Sequence, residues 1–126
     1  PKISIILGGS YGAGNYAMSG RAYAPRFLYA WPSAKIAVMG GDSAAKTLST
    51  IKLSKMNNAS EEDKEKIYNQ IKNKYTKQSD PRYAAARLWI DEIINPLDTR
   101  KIIIESLDIV KNEGEIKKAT YGAIQV

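Results

Sequence analysis

The 126-residue sequence predicts an α/β fold with a helical C-terminal half, on three observations. An apolar, β-branched run that ends in a glycine pair and leads toward a helix occurs twice, first at residues 2–9 and again at 34–41. From residue 60 onward the apolar residues recur instead at helical spacing. Hydrophobic residues make up 44% of the chain and charged residues 25%, the balance of a sequence that buries a core, and the length suits one modest domain rather than two.

Taken in order, Lys2 to Leu7 (KISIIL) is a nearly continuous apolar run, expected as a strand buried on both faces. Residues 8–20, GGSYGAGNYAMSG, hold five glycines, and the aromatic stretch Arg21 to Trp31 follows; together they read as a loop feeding a short helix. Ala34 to Met39 is the second strand, and after Gly40-Gly41 either Asp42 or Ser43 is placed to cap a helix beginning AAKTLSTI. The repetition implies a parallel or mixed sheet whose strand ends open onto one crevice.

Ser60 with Asp63 three residues on fits a capping box. Glu61 and Glu62 complement the helix dipole, and Ile67, Ile71 and Tyr75 form one stripe. Asp80-Pro81 opens a second helix, expected over Tyr83 to Ile93 and stopped by Asn95-Pro96. Asp98 is placed to cap a third, with Ile103, Leu107 and Val110 on one stripe and Gly114 beyond its end.

Composition removes whole classes of chemistry. The chain has no cysteine and no histidine, which excludes disulfides, thiolate zinc sites and Ser-His-Asp or Cys-His machinery, and no metal site is expected. Backbone amides, carboxylates, Lys, Arg and Tyr remain. No apolar run approaches the ~20 residues that span a bilayer, so no membrane partner is expected and a soluble, cytoplasmic protein is. The net charge of +6 raises the question of an anionic partner. Seven lysines against four acids lie between Ile51 and Gln78, with only Tyr68 and Tyr75 among them, so the stretch reads as a solvated helix and not as a nucleic-acid surface. The start at Pro1, directly before an apolar run, reads as a piece of something longer.

The glycine segment admits three readings. Gly12-Ala13-Gly14-Asn15-Tyr16-Ala17 matches a G-x-G-x-x-A dinucleotide pattern but begins five residues after the strand, the wrong spacing for that turn. Gly9 to Gly14 has the spacing of a phosphate loop, yet Asn15 and Tyr16 stand where Lys and Ser or Thr would hold phosphate and magnesium. The third reading uses the main chain: small residues at 12, 13 and 14 let a ligand approach the backbone, and amides at a helix start face developing negative charge. Packing glycines remain the plain alternative.

The run GGSYGAGNYAMSGRAYAPRFLYAWPSAKIAVMGGDSAA resembles the carboxyltransferase (β) subunits of biotin-dependent acyl-CoA carboxylases, nearest to the methylcrotonoyl-CoA carboxylases. The resemblance covers residues 1–47 and resumes in YAAARLWIDEIINPLDTR, which is similar to a family segment of the form ARxWDDGIIDPxDTR. Residues 48–79 are variable and charged, and Tyr121-Gly122-Ala123-Ile124 is only faintly similar to the family's aromatic-glycine ending.

That resemblance implies a crotonase-like spiral of ββα units, of which this is a C-terminal part. Residues 1–50 would form the biotin-side core, 51–79 a charged helical segment and 80–126 a helical C-terminal segment. It implies carboxyl transfer from carboxybiotin, carried by a partner α subunit, to an acyl-CoA, with 3-methylcrotonoyl-CoA expected. The site would form between β subunits of a homo-oligomer, and in a eukaryote the location would be the mitochondrial matrix. Matched position by position, Ala13 and Gly14 supply the amides that stabilise the biotin ureido oxygen, Gly12 and Asn15 join them in binding the cofactor, and Tyr16 lines the acyl pocket. Without the acyl-CoA half the fragment is expected to be inactive. Tyr11 is expected to pack, Arg21 to satisfy a helix C-terminus, and Trp31-Pro32 to pack the entrance of the second strand; Arg87 and Arg100 are left out of the site. Glu92 and Asn95 depart from the family's glycine and Asp, which puts the turn at 93–96 in question. A non-catalytic assembly or binding module of the same fold is the alternative, and a nucleotide-binding domain a weaker one.

Overall fold

The computed structural model describes residues 1–56, 60–112 and 114. The chain enters on β1 (Ile3–Ile6), continues into β2 (Gly9–Tyr11) and turns at once into the six-residue helix α1 (Gly12–Ala17). A single 3-10 turn at Arg21–Tyr23 leads to β3 (Phe27–Ala30), then β4 (Lys35–Ala37), α2 (Gly41–Leu53) and α3 (Glu61–Gln78). The remainder is α4 (Pro81–Ala85), the two-residue β5 (Glu92–Ile93), a 3-10 turn at Pro96–Asp98 and α5 (Thr99–Lys111). The faint aromatic-glycine ending at 121–124 lies outside the described residues.

All strand pairs are parallel, as the repeated pattern implied, but they form two small sheets: β1-β3-β5 and β2-β4. The two apolar runs that suggested a common sheet therefore do not pair. β1 lies beside β3, with Ile3 opposite Phe27, and β4 lies beside β2, with Ser10 opposite Ile36. The central strand of the larger sheet is the aromatic stretch that composition assigned to a loop. Its alternation was obscured because Leu28, Tyr29 and Ala30 are all buried, on both faces. Leu28, Ala30, Ala34, Ile36, Ala84 and Ile90 form the core cluster, with Ile6, Trp89 and Ile93 packed on its border. Burial of one such aliphatic side chain contributes roughly 1.5–3 kcal/mol.

Four further expectations are corrected. Ile3 to Ile6 are half-buried, because β1 pairs along one edge only and its other side lines an open groove. Neither Asp42 nor Ser43 caps α2; Gly40 is the cap residue and Asp42 sits within the first turn, paired to α3. The helix expected over 83–93 ends at Ala85, and the chain turns through Leu88 at φ +58°. Asp91 N–H then reaches Leu28 O at 2.8 Å, and Glu92 and Ile93 pair with β3, so pairing to the core strand outcompetes helical continuation. Asp98 precedes α5 but makes no side-chain cap bond; its neighbour Asn95 caps the 3-10 turn instead, accepting from Leu97 N–H at 3.1 Å.

The capping box is present, Ser60 Oγ accepting from Asp63 N–H at 3.1 Å while Asp63 reaches back to the Ser60 amide. Ile67 is buried, with Ile71 and Tyr75 half-buried beside it. α2 and α3 pack as an antiparallel pair through small residues, Ala44 and Ala45 being fully buried. On α5 the expected stripe is only partly used. Ile103 and Val110 are half-buried, Leu107 is exposed, and the buried contact is Ser106, hydrogen-bonded to Tyr29 Oη at 2.8 Å.

Candidate functional site

The site begins where β2 becomes α1 with no intervening loop. Gly12 makes this junction possible: its φ is +48°, in the left-handed region, and a Cβ there would stand 2.9 Å from Val38 O. Tyr11 holds the cap position with extended backbone and offers no side-chain cap. The first amides of a helix have no acceptor within it. Among the described residues, neither Ala13 N–H nor Gly14 N–H is bonded to a carbonyl outside the helix. Both residues are exposed, no acidic side chain occupies the first turn, and nothing lies within 4 Å of where a Gly14 Cβ would be.

Gly14 and Asn15 border a groove of about 590 Å³ that runs along β1 and β2, with Ile3, Ile5, Leu7 and Met18 among its apolar lining. Asn15 faces inward. It is 3% exposed, donates from Nδ2 to Ser10 Oγ at 2.9 Å, and keeps a buried Oδ1 without a protein partner. Its backbone oxygen accepts from Gly20 N–H at 2.8 Å, and Gly20 presses so closely on Asn15 that no Cβ fits there. Tyr16 stands outside the groove, edge-on to Tyr23 with ring centroids 6.3 Å apart. Thus Gly14 and Asn15 share one groove, Gly12 supplies the turn behind it, and Ala13 and Tyr16 lie beyond its lining.

Tyr11 packs only in part: it is 39% exposed and borders the same groove, with its ring against Gly9 and 3.9 Å from the Cβ position of Gly40. Trp31 also packs, and its Nε1 donates to Thr99 Oγ1 at 3.0 Å. Arg21 does something the sequence did not reveal. Rather than satisfying a helix end, its Nε donates to Trp89 O at 3.0 Å and its Nη2 to Asp91 Oδ1 at 2.7 Å, while Asp91 Oδ2 accepts Leu28 N–H at 2.7 Å. No local spacing could signal a bond across 70 residues. Arg87 lies 3.4 Å from the Tyr83 ring centroid and donates to Tyr83 O, a local surface arrangement.

Asp42 and Asp80, outside the groove lining, are paired for structure. The Asp42 carboxyl is held below its ordinary value by the Lys72 hydrogen bond, then by the Tyr68 hydroxyl and the Lys72 charge. Lys72 is raised correspondingly. Asp80 is held well below the carboxylate range by the Arg82 guanidinium and by the Arg82 amide that it caps. Among the described residues no group of three or more His, Cys, Asp or Glu is placed to hold a metal, and no helix is long and apolar enough to cross a membrane.

Parallel strands feeding into glycine-started helices, with one helix start exposed beside a groove, define an α/β unit. The chain belongs to the carboxyl transferase domain family, which matches residues 1–121. It is 42% identical over 130 aligned positions, across all of its length, to the biotin-dependent 3-methylcrotonyl-coenzyme A carboxylase β1 subunit of Mycobacterium tuberculosis, covering 24% of that protein. Among solved structures it is similar to the β subunit of Pseudomonas aeruginosa geranyl-CoA carboxylase, at 39% identity and TM-score 0.77, over 98% of this chain and 27% of that one. It is similar also to transcarboxylase 12S, described as a hexamer with methylmalonyl-coenzyme A bound, at 30% identity and TM-score 0.78, over 98% of this chain and 23% of that one. The fold is the crotonase-like type that the resemblance implied. The chain spans about a quarter of the length of the relatives it matches.

Proposed function

We propose that this chain is the carboxybiotin-side portion of an acyl-CoA carboxyltransferase, with 3-methylcrotonoyl-CoA as the acceptor. The observation that carries the reading is the open start of α1 at Ala13 and Gly14, within a family whose relatives are biotin-dependent carboxylases. The residues fit a biotin ring: the space over Gly14 is free, the first turn bears no acid, and the bordering groove is largely apolar. When bound, carboxybiotin supplies the carboxyl group and the base for the reaction.

This chain's part is then electrostatic. Ala13 N–H and Gly14 N–H hold the ureido oxygen as its charge grows, and because they are fixed in a helix turn they need no reorganisation at that moment. Each such donor is typically worth roughly 2.7–4 kcal/mol of barrier. Gly12 sets the turn and Asn15 anchors it to β2 through Ser10. Tyr16, edge-on to Tyr23, lines the acyl pocket, and its replacement by Ala shifts the ratio of kcat/KM between short and long acyl-CoAs.

The acyl-CoA half, the biotin-carrying α subunit and further β copies come from the rest of the assembly, and the 126-residue chain alone transfers no carboxyl group. The deciding experiment is Gly14→Val in the assembled carboxylase. A Cβ there meets no protein atom within 4 Å, and the valine methyl groups fill the approach to the amides, so carboxyl transfer falls while the assembly stays intact. Normal turnover by a correctly assembled variant removes the assignment.

A further inference from the structure

We propose that Arg21 and Asp91 are positioning residues for the start of α1, holding the short helix at the angle from which the Ala13 and Gly14 amides meet their acceptor. The inference rests on the reading of those amides given above. A helix of six residues, with no side-chain cap and only Asn15 buried, does not fix its own conformation or direction. Its orientation is set by the Asn15 bond to Ser10 Oγ and by what is attached to its ends.

The N-terminal end continues β2, which is paired along its length to β4. The other end is tied by Gly20 N–H to Asn15 O at 2.8 Å and by Ser19 N–H to Tyr16 O at 3.0 Å, and Arg21 is the next residue. Its guanidinium, 20% exposed, grips Trp89 O and Asp91 Oδ1 together. Asp91 in turn holds Leu28 from both sides, accepting its N–H at 2.7 Å and donating its own N–H to Leu28 O at 2.8 Å. Leu28 is 2% exposed, in the middle of the central strand. The C-terminal end of α1, which Ser4 Oγ ties to β1 by donating to Ser19 O at 2.9 Å, is thereby fastened in two further links to the central strand. The planar fork presents Nε and Nη2 to these two acceptors in one fixed geometry, which the rotatable donors on the single nitrogen of a lysine do not reproduce.

A second bond, Trp31 Nε1 to Thr99 Oγ1 at 3.0 Å, joins the same two stretches of chain but has no link to α1, and it serves as the control. In the assembled carboxylase, Arg21→Gln is expected to lower kcat about 10- to 100-fold, the scale of a small misplacement at a catalytic group, with KM for the acyl-CoA unchanged. Arg21→Lys recovers part of the loss. Thr99→Val, which lowers stability without touching the α1 tether, keeps kcat per folded enzyme. Independently of turnover, amide hydrogen exchange over residues 12–18 rises in Arg21→Gln and in Asp91→Asn but not in Thr99→Val. Should Arg21→Gln fail to assemble, Arg21→Lys and Asp91→Asn carry both readouts.

Equal fractional losses in Arg21→Gln and Thr99→Val, or unchanged exchange over 12–18, overturn the positioning role. If Gly14→Val abolishes transfer while Arg21→Gln retains full kcat, the amide reading stands and this inference falls. If Gly14→Val is fully active, the amide reading itself fails, whatever Arg21 does.

Discussion

Two helices in this molecule start in nearly the same way. α1 follows β2, α2 follows β4, the two strands are parallel neighbours, and both helices begin at glycine after an extended residue with no side-chain cap. They differ in what stands before the first turn. At α2, Asp42 supplies the negative charge itself and is held by Lys72 Nζ at 2.7 Å and Tyr68 Oη at 3.2 Å, while a Cβ on Gly41 would stand 2.7 Å from Thr76 Oγ1 and 3.2 Å from Lys72 O. At α1 there is no acid and Gly14 faces open space. The same strand-to-helix sequence grammar thus yields one start whose acid is paired to α3 and one that carries no acid, with its third residue beside a groove.

Gly14→Val breaks this comparison most sharply. Removal of effective donors at an oxyanion site costs about a hundredfold or more in kcat, and the melting temperature should hardly move because a Cβ at this position has no neighbour within 4 Å. Gly41→Val should do the reverse. It is driven into α3, and overpacking of this kind typically costs roughly 1–3 kcal/mol, read as a lowered melting temperature with turnover per folded enzyme retained. Two variants with the same profile would show that the two helix starts are equivalent after all.

Gly12→Ala is the next largest effect. It forces a side chain into the left-handed region beside Val38 O, for which about 1–2 kcal/mol of destabilisation is expected in urea titrations. The smallest effect sharpens the α2 side of the comparison. The folded-state pKa of Asp42 lies below its ordinary 3.8, so its contribution is fully present above that value and is lost as pH falls through the lowered pKa. Asp42→Asn should therefore be slightly less stable than the parent at neutral pH, and the difference should close in strong acid; a gap independent of pH would show that the ion pair is not its source.

The parts of the fold that were legible are those whose cause is local. The Ser60 and Asp63 box, the Asp80-Pro81 start, the stripe of Ile67, Ile71 and Tyr75 and the parallel sense of the strands all follow from residues within one or two turns of each other or from a repeated pattern. The strand at 27–30 and the two-residue strand at 92–93 were not legible, because each exists through pairing with the other and with β1. The same holds for Asp42: proximity to a helix start suggested a cap, whereas its partners lie on α3. Within the site, Gly12, Ala13 and Gly14 could be singled out because small residues in a row have few reasons to occur together. Arg21 and Asp91 could not be joined, since nothing in either neighbourhood refers to the other.

By itself, then, the sequence determined which chemistry was excluded: a chain without Cys or His has no thiolate or imidazole, and backbone amides, carboxylates, Lys, Arg and Tyr remain. Only the tertiary structure decided which of two similar helix starts is paired to a neighbouring helix and which borders a groove. Helix propensity, capping and composition act over a few residues, whereas access to a main-chain amide depends on whichever distant segment packs, or fails to pack, in front of it.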